Sequence, residues 1–145
     1  MASTYTTNTG IEKPATGDRS GTWGTMTNTN MDLIDQALDG LITAAATGST
    51  GSPNTLPITD GSVSNGRNRI IKIVDGGDLG GTVYYQITPN DAERYLWIEN
   101  GLSGSRSILL FQGTYNSSND IEIPNGKIKL VRSDGGGSGA TVVEV

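Results

Sequence analysis

Glu93 with Glu99, and Asp75 with Asp78, are the pairs in this chain whose residue types could carry acid–base chemistry. Hydrolysis of a glycoside by two carboxylates needs them facing each other across a cleft, and spacing along a chain does not place them so. Aspartates in glycine-rich turns serve as turn formers, because their side chains bond their own backbone a residue or two on. No enzymatic activity is therefore expected. The segment Asp75–Gly81, "DGGDLGG", has the look of a calcium loop. It lacks the alternating oxygen ligands and the closing glutamate that such a loop needs, so a connection between two strands is expected there. Neither it nor "DGGGSGA" (Asp134–Ala140) is followed by Gly-Lys-Ser/Thr and a helix, so neither reads as a phosphate cradle. Asn116 opens an Asn-Ser-Ser sequon, which has no consequence without export.

Composition removes further classes. The chain contains no histidine and no cysteine, which takes away the usual general base, thiolate chemistry and the common zinc ligands. No cofactor or metal is expected. The net charge is −5, and the lysines and arginines are dispersed apart from Arg67 and Arg69, so nucleic acid is not an expected partner. No apolar run approaches the roughly 18 residues that span a bilayer, and the start has no signal-peptide core, so no membrane partner is expected either. Tyr84, Tyr85, Tyr95 and Trp97 fall in two neighbouring segments. Successive strand residues point to opposite faces, so Tyr84 and Tyr85 diverge while Tyr95 and Trp97 share a face. That shared face is a candidate surface for a glycan or a protein, with core packing as the competing reading.

These residues must be held by elements, and the chain divides into three zones. A hydrophobic fraction of 34 % over 145 residues gives a thin core, a deficit that oligomerisation commonly makes up. Residues 1–27 are polar and punctuated by Gly10, Pro14, Gly17, Gly21 and Gly24, with Tyr5, Ile11 and Trp23 as spaced apolar anchors. The reading is an extended attachment arm, laid on another surface or disordered. Residues 28–47 read as an amphipathic helix, with Thr29 as N-cap, Asp32 in the capping-box position and an end near Ala45 or Ala46. Met31, Ile34, Leu38 and Leu41 form one stripe, widened by Leu33, Ala37 and Ile42. Two packings are open: the helix on its own sheet, or identical helices about a symmetry axis.

From residue 56 to 145 the period changes. "LPIT", "RIIKIV", "TVYYQIT", "RYLWIE", "SILLFQ", "DIEI", "KIKLVR" and "TVVEV" are strand-like and separated by Asn-Gly and Asp-Gly turns. "SILLFQ" does not alternate and reads as covered on both sides. The expected fold is mainly β: an antiparallel β-sandwich or jelly-roll-like body, one N-terminal amphipathic helix and an extended arm.

The segment "TGIEKPATGDRSGTWGTMTNTNMDLIDQAL" (Thr9–Leu38) resembles the start of structural proteins of tailed marine or cyanobacterial bacteriophages, with their Gly-Thr-Trp-Gly core and Asn-Thr-Asn before an acidic helix. "ITDGSVSNGRNRIIKI" and "EIPNGKIKLVRSDGGGSGATVVEV" resemble the β-domain that follows in those proteins, whereas residues 75–119 match in pattern alone. The resemblance implies a virion component of tail-fibre type, a homotrimer assembled in the bacterial host cytoplasm. A chain that stops at Val145, without a shaft, is expected to be a capsid cement or decoration protein or a short fibre. Its partners would be itself and the major capsid or tail and collar proteins. The interface would be carried by Tyr5, Ile11, Trp23, Met31, Ile34, Leu38 and Leu41. The alternative is a tail-fibre or receptor-binding module that takes a host surface glycan at Tyr95 and Trp97.

Overall fold

A computed structural model describes residues 2–47 and 53–145. The chain opens with two short antiparallel strands, β1 (Thr4–Tyr5) and β2 (Glu12–Lys13). The helix α1 (Trp23–Asp39) follows, and then β3 (Leu41–Ala46) and β4 (Asn54–Pro57). A 3₁₀ turn, Asn65–Arg67, leads into β5 (Ile70–Asp75), β6 (Val83–Thr88) and β7 (Glu93–Asn100). Next come β8 (Ile108–Gln112), β9 (Ile121–Ile123), β10 (Ile128–Asp134) and β11 (Val142–Glu144). Each of the eight strand-like segments overlaps one of these strands.

The body is mainly strands in two mixed sheets, which corrects the expectation of antiparallel pairing. One sheet has the order β11-β10-β7-β5-β3 and the other β4-β6-β8-β9. From β3 to β8 the chain places successive strands in alternate sheets, so β3, β5 and β7 pair in parallel, as do β4, β6 and β8. Antiparallel pairs close the far side, at β7–β10, β10–β11 and β8–β9. The physical reason is that the connections β3–β4 through β7–β8 cross between sheets instead of folding back as hairpins. The later Asn125-Gly126 turn, between β9 and β10, also crosses between the sheets: the Gly126 N–H donates to the Asn100 carbonyl and the Asn100 N–H to the Lys127 carbonyl, so the turn locks onto β7. Inward side chains of both sheets form one core, including Ile71, Ile73, Leu96, Ile98 and Val131 from the first and Val83, Tyr85, Ile87, Ile108 and Leu110 from the second.

The helix lies five residues earlier than expected at its start and ends well before residue 47. Thr22, not Thr29, occupies the N-cap and makes no side-chain cap bond, and Asp32 sits mid-helix. The register is set by a different face. Met26 and Leu33 are buried, and Asn30 between them donates to the Glu12 carbonyl while accepting the Glu12 N–H. After Gly40 the segment Leu41–Ala46 becomes a strand because β5 offers a parallel partner along its whole length. Tertiary pairing overrides the high helix propensity of its alanines. Leu41 therefore leaves the helical stripe and begins β3. The expected end near Ala45 or Ala46 therefore falls in β3, and Gly48, just beyond it, lies outside the described residues.

The arm is corrected as well. Residues 4–13 form a hairpin on the chain's own body: the Gly61 N–H donates to the Gly10 carbonyl, and Asn8 accepts the Glu93 N–H. The second half of the segment is tied down by an Arg19–Glu12 ion pair.

Candidate functional site

Two surfaces collect the residues singled out from the sequence. The first is the outer side of α1. At 100° per residue, Met26, Asn30, Leu33 and Ala37 point to the body, and Trp23, Thr27, Met31, Ile34 and Leu38 lie on an adjacent face. Trp23 and Leu38 are each 63 % exposed, and Met31 is also exposed, with Ile34 half-buried. The helix thus carries two apolar faces, and its buried side chains, Met26 and Leu33, belong to the first. Trp23 is not part of an extended arm but is the first helical residue, beside a depression of about 450 Å³ lined by Pro14, Ala15, Gly17, Arg19 and Gly21. Tyr5 and Ile11 are half-buried in the hairpin, Tyr5 lying against Gly61, so the structure separates them from the helical stripe.

The second surface is the outer face of the five-stranded sheet. Register aligns Leu41, Ile70, Trp97 and Leu130 in one row across β3, β5, β7 and β10. Leu41 is 68 % exposed and Trp97 41 %. Tyr95 shares that face, is 48 % exposed and pairs in register with Arg132. A Lys72–Glu99 ion pair (2.9 Å) adds charge beside the row, whereas a Lys129–Glu144 pair (2.9 Å) lies on the other face of the sheet, with Val131. The opposite sheet differs, since its outer aromatic Phe111 is covered by Tyr115, which also meets Tyr84 edge-on at 5.1 Å. Tyr85 points inward and is buried, and desolvation pushes its hydroxyl up to about 12. Tyr84 and Tyr85 diverge as alternation requires, and β8 is covered on both sides.

The acidic pairs have other work. Asp75 accepts bonds from the Ser103 hydroxyl and N–H, which hold its carboxyl below the usual range. Asp78 accepts the Gly80 N–H in the following turn, Glu99 pairs with Lys72, and Glu93 lies at the exposed start of β7. Among the described residues no group of three or more acidic side chains is placed to hold a metal ion.

Sequence reasoning missed Arg67. It is fully buried, and its guanidinium donates to the carbonyls of Thr9, Ser62 and Thr59 and to Gln36 of α1. Burial lowers its pKa against the weaker opposing pull of Asp60. Arg94 lies nearby, buried, donating to the Arg67 carbonyl, and desolvation followed by the charges of Arg69 and Arg67 brings it to about 10. The sole signal in the sequence was the closeness of Arg67 and Arg69.

No family model, curated protein or solved structure matches this chain.

Proposed function

We propose that this chain is a non-enzymatic structural protein of a bacteriophage virion, a homotrimeric cement or decoration protein or short fibre. The body is read as a two-sheet sandwich whose inward faces share one core. The observation that carries the proposal is the second stripe of α1, whose Met31 and Leu38 are exposed. Thr27, Met31, Ile34 and Leu38 follow the four-three-four spacing by which identical helices pack side by side. An exposed stripe of this kind has its natural cover in two further copies of itself. Trp23, next to the stripe and beside the Pro14–Gly21 depression, is the anchor for a neighbouring virion protein, since tryptophan dominates interface energetics out of proportion to its frequency. The hairpin and Arg67 present that anchor rigidly instead of on a loose arm.

Sedimentation equilibrium of the intact chain tests the assembly. Three copies per particle, or a multiple of three, are expected, and Leu38→Glu should abolish these three-fold species with an unchanged β-rich circular dichroism spectrum. A native chain that stays monomeric at all concentrations refutes the trimer. Labelling phage particles with an antibody to the chain tests the location, and Trp23→Ala should lower incorporation without loss of folding.

Tyr95 and Trp97, two residues apart and exposed on one face, favour a second reading in which that face stacks on a host surface sugar. Binding of the isolated protein to host polysaccharide, lost in Trp97→Ala, would support it.

A further inference from the structure

The edges of the two sheets are treated unequally. β4 is covered by the 3₁₀ turn, packed so closely that a Cβ on Gly66 would lie 2.2 Å from the Leu56 carbonyl oxygen. β9 and β11 are three residues each and carry Glu122 and Glu144. β3 is six residues long, "LITAAA", with no charge and no proline. Natural proteins blunt exposed edges with charge, proline, brevity or a cover, because a bare edge recruits another strand. Among the described residues β3 has none of these.

Its free groups can be assigned. The Gly40 carbonyl accepts the Ile70 N–H (2.9 Å) and the Ala46 carbonyl the Gly76 N–H (2.8 Å), which fixes the parity of the strand. Residues 40, 42, 44 and 46 turn their backbone groups to β5, and Leu41, Thr43 and Ala45 turn theirs away. Among the described residues these outward N–H and C=O groups have no partner, and all three side chains are exposed.

We propose that β3 pairs antiparallel with β3 of a second copy about a two-fold axis at Thr43, joining two five-stranded sheets into one. The strand is complementary to itself in that register. Thr43 meets Thr43 of the copy, Leu41 meets Ala45, and Ile42 meets Ala44, so each large side chain faces a small one. Threonine pairs are favourable across antiparallel strands. Leu41, Thr43 and Ala45 all fall at hydrogen-bonded pairs, each exchanging two N–H···O bonds, so every free group is satisfied. A chain of net charge −5 repels its copies, and β3 brings no charge to the contact. This contact is independent of the helical stripe and adds a two-fold link to the proposed trimer.

The chain has no cysteine, so single-cysteine variants report cleanly. Across the axis the two residues at position 43 would be about 5.5 Å apart at Cα, within the ~4.4–6.8 Å a disulfide spans. Under mild oxidation Thr43→Cys should give a disulfide-linked dimer at least about tenfold faster than Glu122→Cys on the edge strand β9, a ratio set by proximity. Adding Ala45→Pro, which removes one outward N–H, should abolish the advantage. Adding Leu38→Glu should leave it intact. Equal rates for the two cysteine variants overturn the proposal. Loss of the cross-link on adding Leu38→Glu also overturns it, because the contact would then belong to helix association, whereas loss of the trimer alone in Leu38→Glu bears only on the proposed function.

Discussion

The Arg67 side chain donates from Nε to the Thr9 carbonyl at 2.7 Å, joining residues 58 apart in sequence. The same guanidinium reaches Gln36 in α1 and the carbonyls of Thr59 and Ser62. Hairpin, helix and sheet body thus meet on one planar fork, a geometry that suits arginine and not lysine.

Removing that fork should free the N-terminal segment while the sheets persist. Arg67→Met leaves several carbonyls buried without donors, which costs about 3 kcal/mol by the usual penalty for unsatisfied groups. Arg67→Lys should recover only part of it. Hydrogen exchange is the suitable measurement: amides of residues 4–13 and of α1 should lose protection in Arg67→Met, while those of β7 and β10 keep theirs. Uniform loss across both sheets would contradict this role.

The faces of β7 make a second prediction. Leu96 is buried and Trp97 is its exposed neighbour on the opposite side. Leu96→Ala should destabilise the chain by about 3 kcal/mol, as cavity-forming core truncations do. Trp97→Ala, on an unused face, should cost less than about 1 kcal/mol. Urea denaturation followed by far-ultraviolet circular dichroism distinguishes them, and comparable losses would mean that Trp97 is covered within the single chain.

The shared face of Tyr95 and Trp97 was legible because strand alternation has a strict period of two. The stripe Met31, Ile34 and Leu38 was legible from helical spacing, although the spacing did not say that Met26 and Leu33 would be the face turned inward. β3 was not legible: "LITAAA" extends the apolar helical pattern and is rich in alanine, and only the parallel partner β5 makes it a strand. The alternation between sheets was hidden for a similar reason. An Asp-Gly pair supplies a positive φ to a hairpin and to a crossing connection alike, as Gly61 does at +66° between β4 and β5. Arg67 lay beyond reach because its partners, the Gln36 side chain apart, are main-chain carbonyls, which every residue has.

Acid should expose the turn carboxylates. Asp134 accepts the Thr141 hydroxyl at 2.6 Å and N–H at 2.9 Å, and the Gly136 N–H at 3.0 Å, bonds that hold its pKa below the ordinary value. Asp75 is held low by Ser103 in the same way. A carboxyl whose folded pKa lies below its unfolded one contributes its full stability above the unfolded value, about 3.9, and loses it as pH falls through the folded pKa. The melting temperature should therefore decline as pH drops from about 5 to 2.5, with most of the decline below the unfolded value. Asp134→Asn removes one titrating group and should flatten that decline while lowering stability at neutral pH. The Asp134 turn joins β10 to β11, so the amides of β11 should be the first to lose protection in acid. Superimposable melting profiles for the native chain and Asp134→Asn would show that Asp134 does not control acid sensitivity.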